Sequence, residues 1–267
     1  MANFLSHIKK ITAKKKWGQN FLIREDILDK IILAAHIDKE TSVIEIGPGP
    51  GSLTYCLLKT AAKTIYAIEK DISMRDHLED LKSSRLHLYF SDALKTTFWE
   101  LGNTPRSLIS NLPYNIATPL LLLMLLNASC FKNMVLMFQK EVALRILAQP
   151  NTKAYGRLSV ISQLLCKISH VTDVAPNAFH PQPKVNSTVL HFSPYTKPLY
   201  NVNIHFLQKL LHHVFQQRRK MLRSNLKNFV DNPIKILDSA TIDSTRRPES
   251  LSLKEFVLLS NLIERST

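Results

Sequence analysis

Val43-Ile44-Glu45-Ile46-Gly47-Pro48-Gly49-Pro50-Gly51 decides the fold. A β-branched strand runs straight into a glycine-rich turn, and a helical pattern follows over 52–60. Three of the six glycines in the chain sit in this turn. They mark backbone that approaches something closely or takes positive φ. A second apolar strand, Thr64-Ile65-Tyr66-Ala67-Ile68, ends on an acid, Glu69. Strand, glycine turn, helix, strand, acid is the order of a nucleotide-type cofactor site in a doubly wound sheet.

The turn also narrows the ligand. Its spacing is not the G-x-G-x-x-G of dinucleotide binders, and no Lys-Ser or Lys-Thr follows it as in a phosphate loop. Pro48 and Pro50 have no backbone N–H, which counts against a pyrophosphate. A cofactor with a ribose and no phosphate fits better, with Glu69 accepting from both ribose hydroxyls. S-adenosylmethionine meets that description. The turn alone also reads as a strand-to-helix connection with no ligand.

Outward from this unit, strand-like runs recur at 86–90, 106–110, 134–138, 169–174 and 187–192. Helical patterns lie between them at 71–81, 116–128, 140–148 and 156–166, with another over 27–35. Strands alternating with helices predict an α/β fold with a mostly parallel sheet. The last two strands are separated by Pro176, Pro181 and Pro183 rather than a helix, so an antiparallel edge strand is expected. Beyond Pro194 only helical patterns remain, such as Phe206, Leu207, Leu210, Leu211, Val214 and Phe215. The reading is a first domain over 1–195, with a basic arm at 1–16, and a small all-helical domain over 196–267.

The 267 residues carry a net charge of +14 and are 45% apolar. A core large enough to fold without staples is expected. The charge points to a polyanionic partner, nucleic acid above all. Lys9, Lys10, Lys14, Lys15 and Lys16 crowd the N-terminal arm, and Arg218, Arg219, Lys220, Arg223 and Lys227 form a second cluster. Cys56, Cys130 and Cys166 are widely spaced with no C-x-x-C, which argues for a reducing compartment and against structural zinc. The histidines offer no ligand spacing, so no metal site is expected. The apolar run 120–126 is too short to span a bilayer. A cytoplasmic location with no membrane partner is expected.

The sharpest chemical motif is Asn111-Leu112-Pro113-Tyr114, at the C-terminal end of the strand carrying Leu108-Ile109-Ser110. Ligands bind at that end in open α/β sheets. An exocyclic adenine amine is a poor nucleophile, because its lone pair is delocalised into the ring. The Asn111 side-chain oxygen can accept one of its N–H bonds, and the carbonyl of Leu112 or Pro113 the other. Two acceptors hold the amine and favour its pyramidal, attacking form. Tyr114 offers a ring to stack on the base. Asp92 ends the strand 86–90, placed to accept from a cofactor adenine and to cap the next helical turn, two roles that do not exclude each other. In Phe179-His180-Pro181-Gln182-Pro183-Lys184-Val185, Phe179 offers a second stacking face and Lys184 a phosphate contact, unless the run is simply a proline-stiffened connection with a buried ring.

These motifs resemble, in order, those of the rRNA adenine N6-dimethyltransferases. The likeness rests on Gln19-Asn20-Phe21-Leu22, the run Glu45 to Gly51, Glu69, Asp92, Asn111-Leu112-Pro113-Tyr114, Gln139-Lys140-Glu141, residues 154–159, 179–187 and Arg218-Arg219-Lys220. It spans about residues 14–227 and is nearest the bacterial small-subunit branch. The resemblance implies a Rossmann-like class I methyltransferase fold. It implies dimethylation of two adjacent adenosines in the 3′-terminal hairpin of small-subunit (16S) rRNA during 30S assembly, using S-adenosylmethionine. Nothing in the sequence demands more than a monomer, and a monomer is expected. Carried over by position, Asn20, Leu22, Gly47, Glu69, Asp92 and Asn111 would line the cofactor. Asn111, Pro113, Tyr114 and Phe179 would hold the target adenine, and Lys184, Arg218, Arg219, Lys220 and Arg223 would meet rRNA. A large-subunit rRNA adenine N6-methyltransferase and a catalytically silent rRNA-binding protein of this fold are the alternatives. The Phe-x-Pro-x-Pro-Lys-Val run speaks against the first, and the amine acceptors of Asn111-Leu112-Pro113-Tyr114 against the second.

Overall fold

A computed structural model describes residues 2–9, 11–14 and 17–266. Lys10, Lys15 and Lys16 of the basic arm lie outside the described residues. The strands are β1 (Phe21–Leu22), β2 (Ser42–Ile46), β3 (Thr64–Glu69), β4 (Leu86–Phe90), β5 (Arg106–Asn111), β6 (Asn133–Gln139), β7 (Cys166–Val174), β8 (Phe179–His180) and β9 (Ser187–Pro194). The helices are α1 (Ala2–Ile8), α2 (Glu25–Ala34), α3 (Ser52–Leu57), α4 (Arg75–Glu79), α5 (Ala117–Leu126), α6 (Lys140–Leu147), α7 (Arg157–Leu165), α8 (Ile204–Gln216), α9 (Leu222–Asn225), α10 (Pro233–Ser239) and α11 (Leu253–Ser266).

The chain divides into two compact units, 1–143 with 167–194, and 144–166 with 195–267. The first holds a seven-stranded sheet in the order β4-β3-β2-β5-β6-β9-β7. From β4 through β6 all neighbours are parallel. β9 returns antiparallel along β6, and β7 lies outside it. Every residue of β2 is buried, as befits a central strand covered on both faces. The chain leaves β2 toward β3 and β4, then crosses back so that β5 pairs with the other side of β2. The C-terminal ends of β2 and β5 therefore flank a topological switch point, where open α/β sheets bind ligands.

Helix patterning accounts for the covering layers. α2 begins with Glu25 and Asp26, which suit a helix N-terminus, and buries Ile27, Leu28 and Ile31 at helical spacing. The pattern over 71–81 resolves into a short 3₁₀ turn (Ile72–Met74) followed by α4. β1 and β8 form a separate antiparallel pair, with Phe21 opposite His180 and Leu22 opposite Phe179.

The second unit takes in residues 144–166, which the composition pattern places in the first domain. α7 buries Val160, Ile161, Leu164 and Leu165 and packs with α8 and α11. The N–H groups of Tyr195 and Leu199 donate to the carbonyls of Leu165 and Leu164. The composition shift at Pro194 is silent about this, because α7 is as apolar as the sheet-covering helices. α8 is capped by Asn203, whose side chain accepts from the N–H groups of His205 and Phe206. It buries Leu207, Leu210, Leu211 and Val214.

Candidate active site

A cleft opens at the C-terminal ends of β2, β3 and β5, with about 920 Å³ of space including its mouth. Its floor is the glycine turn. Gly47 has φ +68°, and an added Cβ would lie 3.2 Å from the Pro113 ring; Gly49, at φ +56°, would meet the Phe21 ring at 3.2 Å. The turn is thus pressed between the Asn111–Tyr114 segment and the arm, and no side chain fits there. Its N–H groups are all committed. Gly47 donates to the Ile68 carbonyl and Gly51 to the Pro48 carbonyl, Gly49 donates to Glu69, and the prolines have none. No donor in the turn is left for a pyrophosphate.

Glu69, at the end of β3, is buried in the cleft wall. One carboxylate oxygen accepts from the Gly49 N–H at 2.9 Å and the other from the Asp71 N–H at 2.7 Å. Each oxygen keeps a lone pair, so two hydroxyls can still donate to it. Burial raises the carboxyl pKa, against the lowering effect of those two N–H groups. The Ser52 hydroxyl, also in the lining, is buried without a hydrogen-bond partner. An orphaned donor, a fixed bidentate acceptor and a cradle with no Cβ suit a polar nucleoside group.

Asn111 closes the other side. Its Nδ2 donates to the Asn20 carbonyl at 3.1 Å, which leaves Oδ1 as an acceptor. The Pro113 carbonyl accepts from the Ile116 N–H at 3.1 Å. The Tyr114 hydroxyl is pinned to Ser187 Oγ on β9 at 2.5 Å, which fixes its ring. Burial raises the phenol pKa, and the Ser187 hydrogen bond only partly opposes this.

The family model described as ribosomal RNA adenine dimethylase matches residues 10–265. The chain belongs to that family. A ribosomal RNA small subunit methyltransferase A of Wolbachia pipientis subsp. Culex pipiens is 44% identical over 94% of this chain and 96% of its own. One from Ehrlichia canis is 41% identical over 96% and 99%. The crystal structure of a dimethyladenosine transferase from Plasmodium falciparum superposes with a TM-score of 0.76 at 30% identity, covering 90% of this chain and 95% of that one. The family's methyl donor is S-adenosylmethionine.

For this dimethylase, the structure brings Asn20, Leu22, Gly47, Glu69, Asn111, Pro113 and Tyr114 into one cleft. It leaves two expected residues outside. Asp92 caps the turn after β4 by accepting from the Leu94 N–H. Its other oxygen pairs with Lys70 at 2.8 Å; each oxygen keeps a lone pair, so the cap leaves the carboxylate able to accept from a further donor. Phe179 is 1% exposed and belongs to the core cluster with Phe21 and Leu22. Pairing of β8 with β1 turns its ring inward, so it is not presented as a second stacking face.

Among the basic residues, Lys184 is exposed beside β9. Arg218 is half-buried, donating to the Lys153 carbonyl and pairing with Glu249, so it braces the second unit rather than offering a free charge. Arg219 and Lys220 are exposed in the turn after α8, not on the expected helix, and Arg223 is exposed on α9. In the arm, Lys14 pairs with Asp71 at 2.9 Å.

The sequence reading missed Glu45, Ser52 and Lys70, which line the cleft, and Asp71 behind it. Glu45 is buried with Thr54 Oγ1 donating to it at 2.7 Å. Burial pushes its carboxyl up to about 8, with Glu69 adding to the rise against the Thr54 hydrogen bond. A lone acid inside an apolar strand was the available signal. Lys70 lies over the Trp17 ring, 5.0 Å from its centroid.

Proposed function

We propose that this cleft holds S-adenosylmethionine beside the N6 amine of an adenosine in small-subunit rRNA, and that Asn111 is the residue that makes the amine attack. The observation that carries this reading is the tie from Asn111 Nδ2 to the Asn20 carbonyl. It fixes which end of the amide faces the base: the oxygen, an acceptor for one N6–H bond. The Pro113 carbonyl already accepts from the Ile116 N–H and keeps one lone pair, so the second acceptor is the carbonyl of Leu112 or that remaining lone pair of Pro113. Together they favour the pyramidal nitrogen of the attacking state by positioning and preorganised electrostatics.

Tyr114, locked by Ser187, supplies one stacking face for a base taken out of its helix. Glu69 and the Gly47–Gly51 turn hold the ribose of the cofactor, with Asn20 and Leu22 covering it. When bound, S-adenosylmethionine supplies an electrophilic methyl on a sulfonium centre. The nitrogen becomes acidic once alkylated and releases its proton to solvent, so the chain needs no strong base. Lys184, Arg219, Lys220 and Arg223 supply the phosphate contacts expected of a chain of charge +14. The working form is a monomer without a metal ion, acting on a 30S precursor.

The test is transfer of labelled methyl to undermethylated small subunits, with mass analysis of the 3′-terminal rRNA fragment. Dimethyladenosine at two adjacent positions is expected. Label confined to large-subunit rRNA would refute the substrate and keep the chemistry.

A further inference from the structure

The arm segment over 17–22 forms one wall of the cleft: Trp17, Gly18, Gln19, Asn20, Phe21 and Leu22 all line it. Something must hold it there, since its β1 strand is only two residues long. Besides the Asn111 bond to the Asn20 carbonyl and the pairing with β8, one side chain gathers bonds to it. Asp71 is almost fully buried, 4% exposed, just past the end of β3. One of its oxygens accepts from Lys14 Nζ at 2.9 Å, and the other from Gln19 Nε2 at 3.0 Å. The Gln19 side-chain oxygen in turn accepts from the Lys14 N–H at 2.8 Å. The Asp71 N–H donates to Glu69, so the group that grips the arm is bonded directly to the proposed ribose acceptor.

We propose that Asp71 is a positioning residue that straps the arm over the cofactor through Gln19 and Lys14, coupling closure of the arm to cofactor retention. The inference rests on the reading that the cofactor occupies this cleft. Burial alone would favour the neutral acid, yet hydrogen bonds from Lys14, Ser73 and Gln19 outweigh it and hold Asp71 below the usual carboxylate range. The strap is therefore charged at neutral pH. Hydrogen bonds to a charged group are the strong ones; Asp71 also accepts from the Ser73 N–H at 3.2 Å and Ser73 Oγ at 2.8 Å as the cap of the 3₁₀ turn.

The test uses the full chain and S-adenosylhomocysteine, a ligand that cannot react. Amide hydrogen exchange of 17–22 is measured in the free protein, and binding by calorimetry. Asp71→Asn keeps the size and removes the charge; Lys14→Met and Gln19→Ala cut the strap from the arm's side without touching the core. All three are expected to speed exchange at 17–22 and weaken binding by about tenfold or more, with Tm nearly unchanged. Lys14→Arg should restore both. In Asp71→Asn and Lys14→Met, KM for the methyl donor should rise while kcat at saturation holds within a few-fold.

Unchanged exchange in Lys14→Met and Gln19→Ala overturns the strap even if Asp71→Asn fails to fold. Faster exchange with unaltered affinity overturns the coupling. If the wild-type ligand protects neither 17–22 nor 47–51, the cleft is not the cofactor site and the reading beneath the proposal fails with it. Exchange in the free protein still judges the strap separately.

Discussion

Asn111→Ala removes two things at once, and the structure lets them be separated. The first is the Oδ1 acceptor. Deleting one preorganised hydrogen-bonding group aimed at a reacting atom costs roughly 10²- to 10³-fold in kcat. The second is the 3.1 Å bond from Nδ2 to the Asn20 carbonyl, a neutral pair worth about 0.5–1.5 kcal/mol net. That second term acts on the arm, so ligand affinity should weaken only a few-fold. The assay pairs single-turnover methyl transfer on undermethylated small subunits with calorimetry of S-adenosylhomocysteine binding. Transfer should fall by about 10³-fold while the dissociation constant moves by less than tenfold. Asn111→Asp sharpens the test, because it keeps an acceptor and loses the donor to Asn20. Its shortfall from wild type combines the lost tie with the added charge, and any gain over alanine reports the acceptor. Transfer by Asn111→Ala within tenfold of wild type would refute the mechanism outright.

The remaining expectations address burial, charge and pH. Phe179→Leu should lower Tm by loosening the core around it with kcat kept within a few-fold; a hundredfold loss of kcat at unchanged Tm would return the ring to the base. Changing Arg219, Lys220 and Arg223 to Gln should flatten the salt dependence of rRNA binding by about one unit of slope for each phosphate no longer neutralised, and an unaltered slope moves the RNA surface elsewhere. Glu45 holds its proton up to about pH 8 in the fold and up to about 4.5 when unfolded. Its contribution to stability is therefore complete below the lower value and is lost as pH rises to the upper one. Glu45→Gln should flatten the decline of Tm between pH 5 and 8 and stabilise the protein at pH 8; an identical decline in the variant would place the titration in another group.

What the sequence made legible follows from how local each signal is. The glycine turn, Glu69 and Asn111-Leu112-Pro113-Tyr114 sit at strand ends, where a few neighbouring residues fix both backbone and role, and all of them meet in the cleft. The rest depended on long-range pairing. Phe179 carried both a stacking and a buried reading, and the pairing of β8 with β1 bears on which holds, but two-residue strands have no periodicity to detect. Asp92 carried both the capping and the adenine reading in its position; the Leu94 cap and the Lys70 pair show that it fills the first and do not exclude the second. Asp71 looked like the start of a helix, and its partners Lys14 and Gln19 lie more than fifty residues away in the chain. The bond from Arg218 to the Lys153 carbonyl that makes an arginine structural spans a similar gap. The allegiance of α7 to the second unit escaped for another reason: an amphipathic pattern states that a face is buried, not against what.

The site's chemistry is coherent in one further respect. Its proposed acceptors, a side-chain amide oxygen and a peptide carbonyl, do not titrate in the range where proteins work. Two titrating groups in the same cleft are biased toward their protonated forms: burial raises the Tyr114 phenol and lifts the Glu45 carboxyl to about 8. That arrangement suits an amine nucleophile. A base that removed the proton before attack would work against a nitrogen whose protons become acidic only after the methyl has arrived. A free carboxylate at that position would also hold the transient alkylated cation and compete with the release of its proton to solvent. Neutral acceptors hold the amine in its attacking geometry, tolerate one methyl in place of one hydrogen, and release the product once both are replaced. A chain that must visit the same atom twice is better served by Asn111 than by an acid at that position.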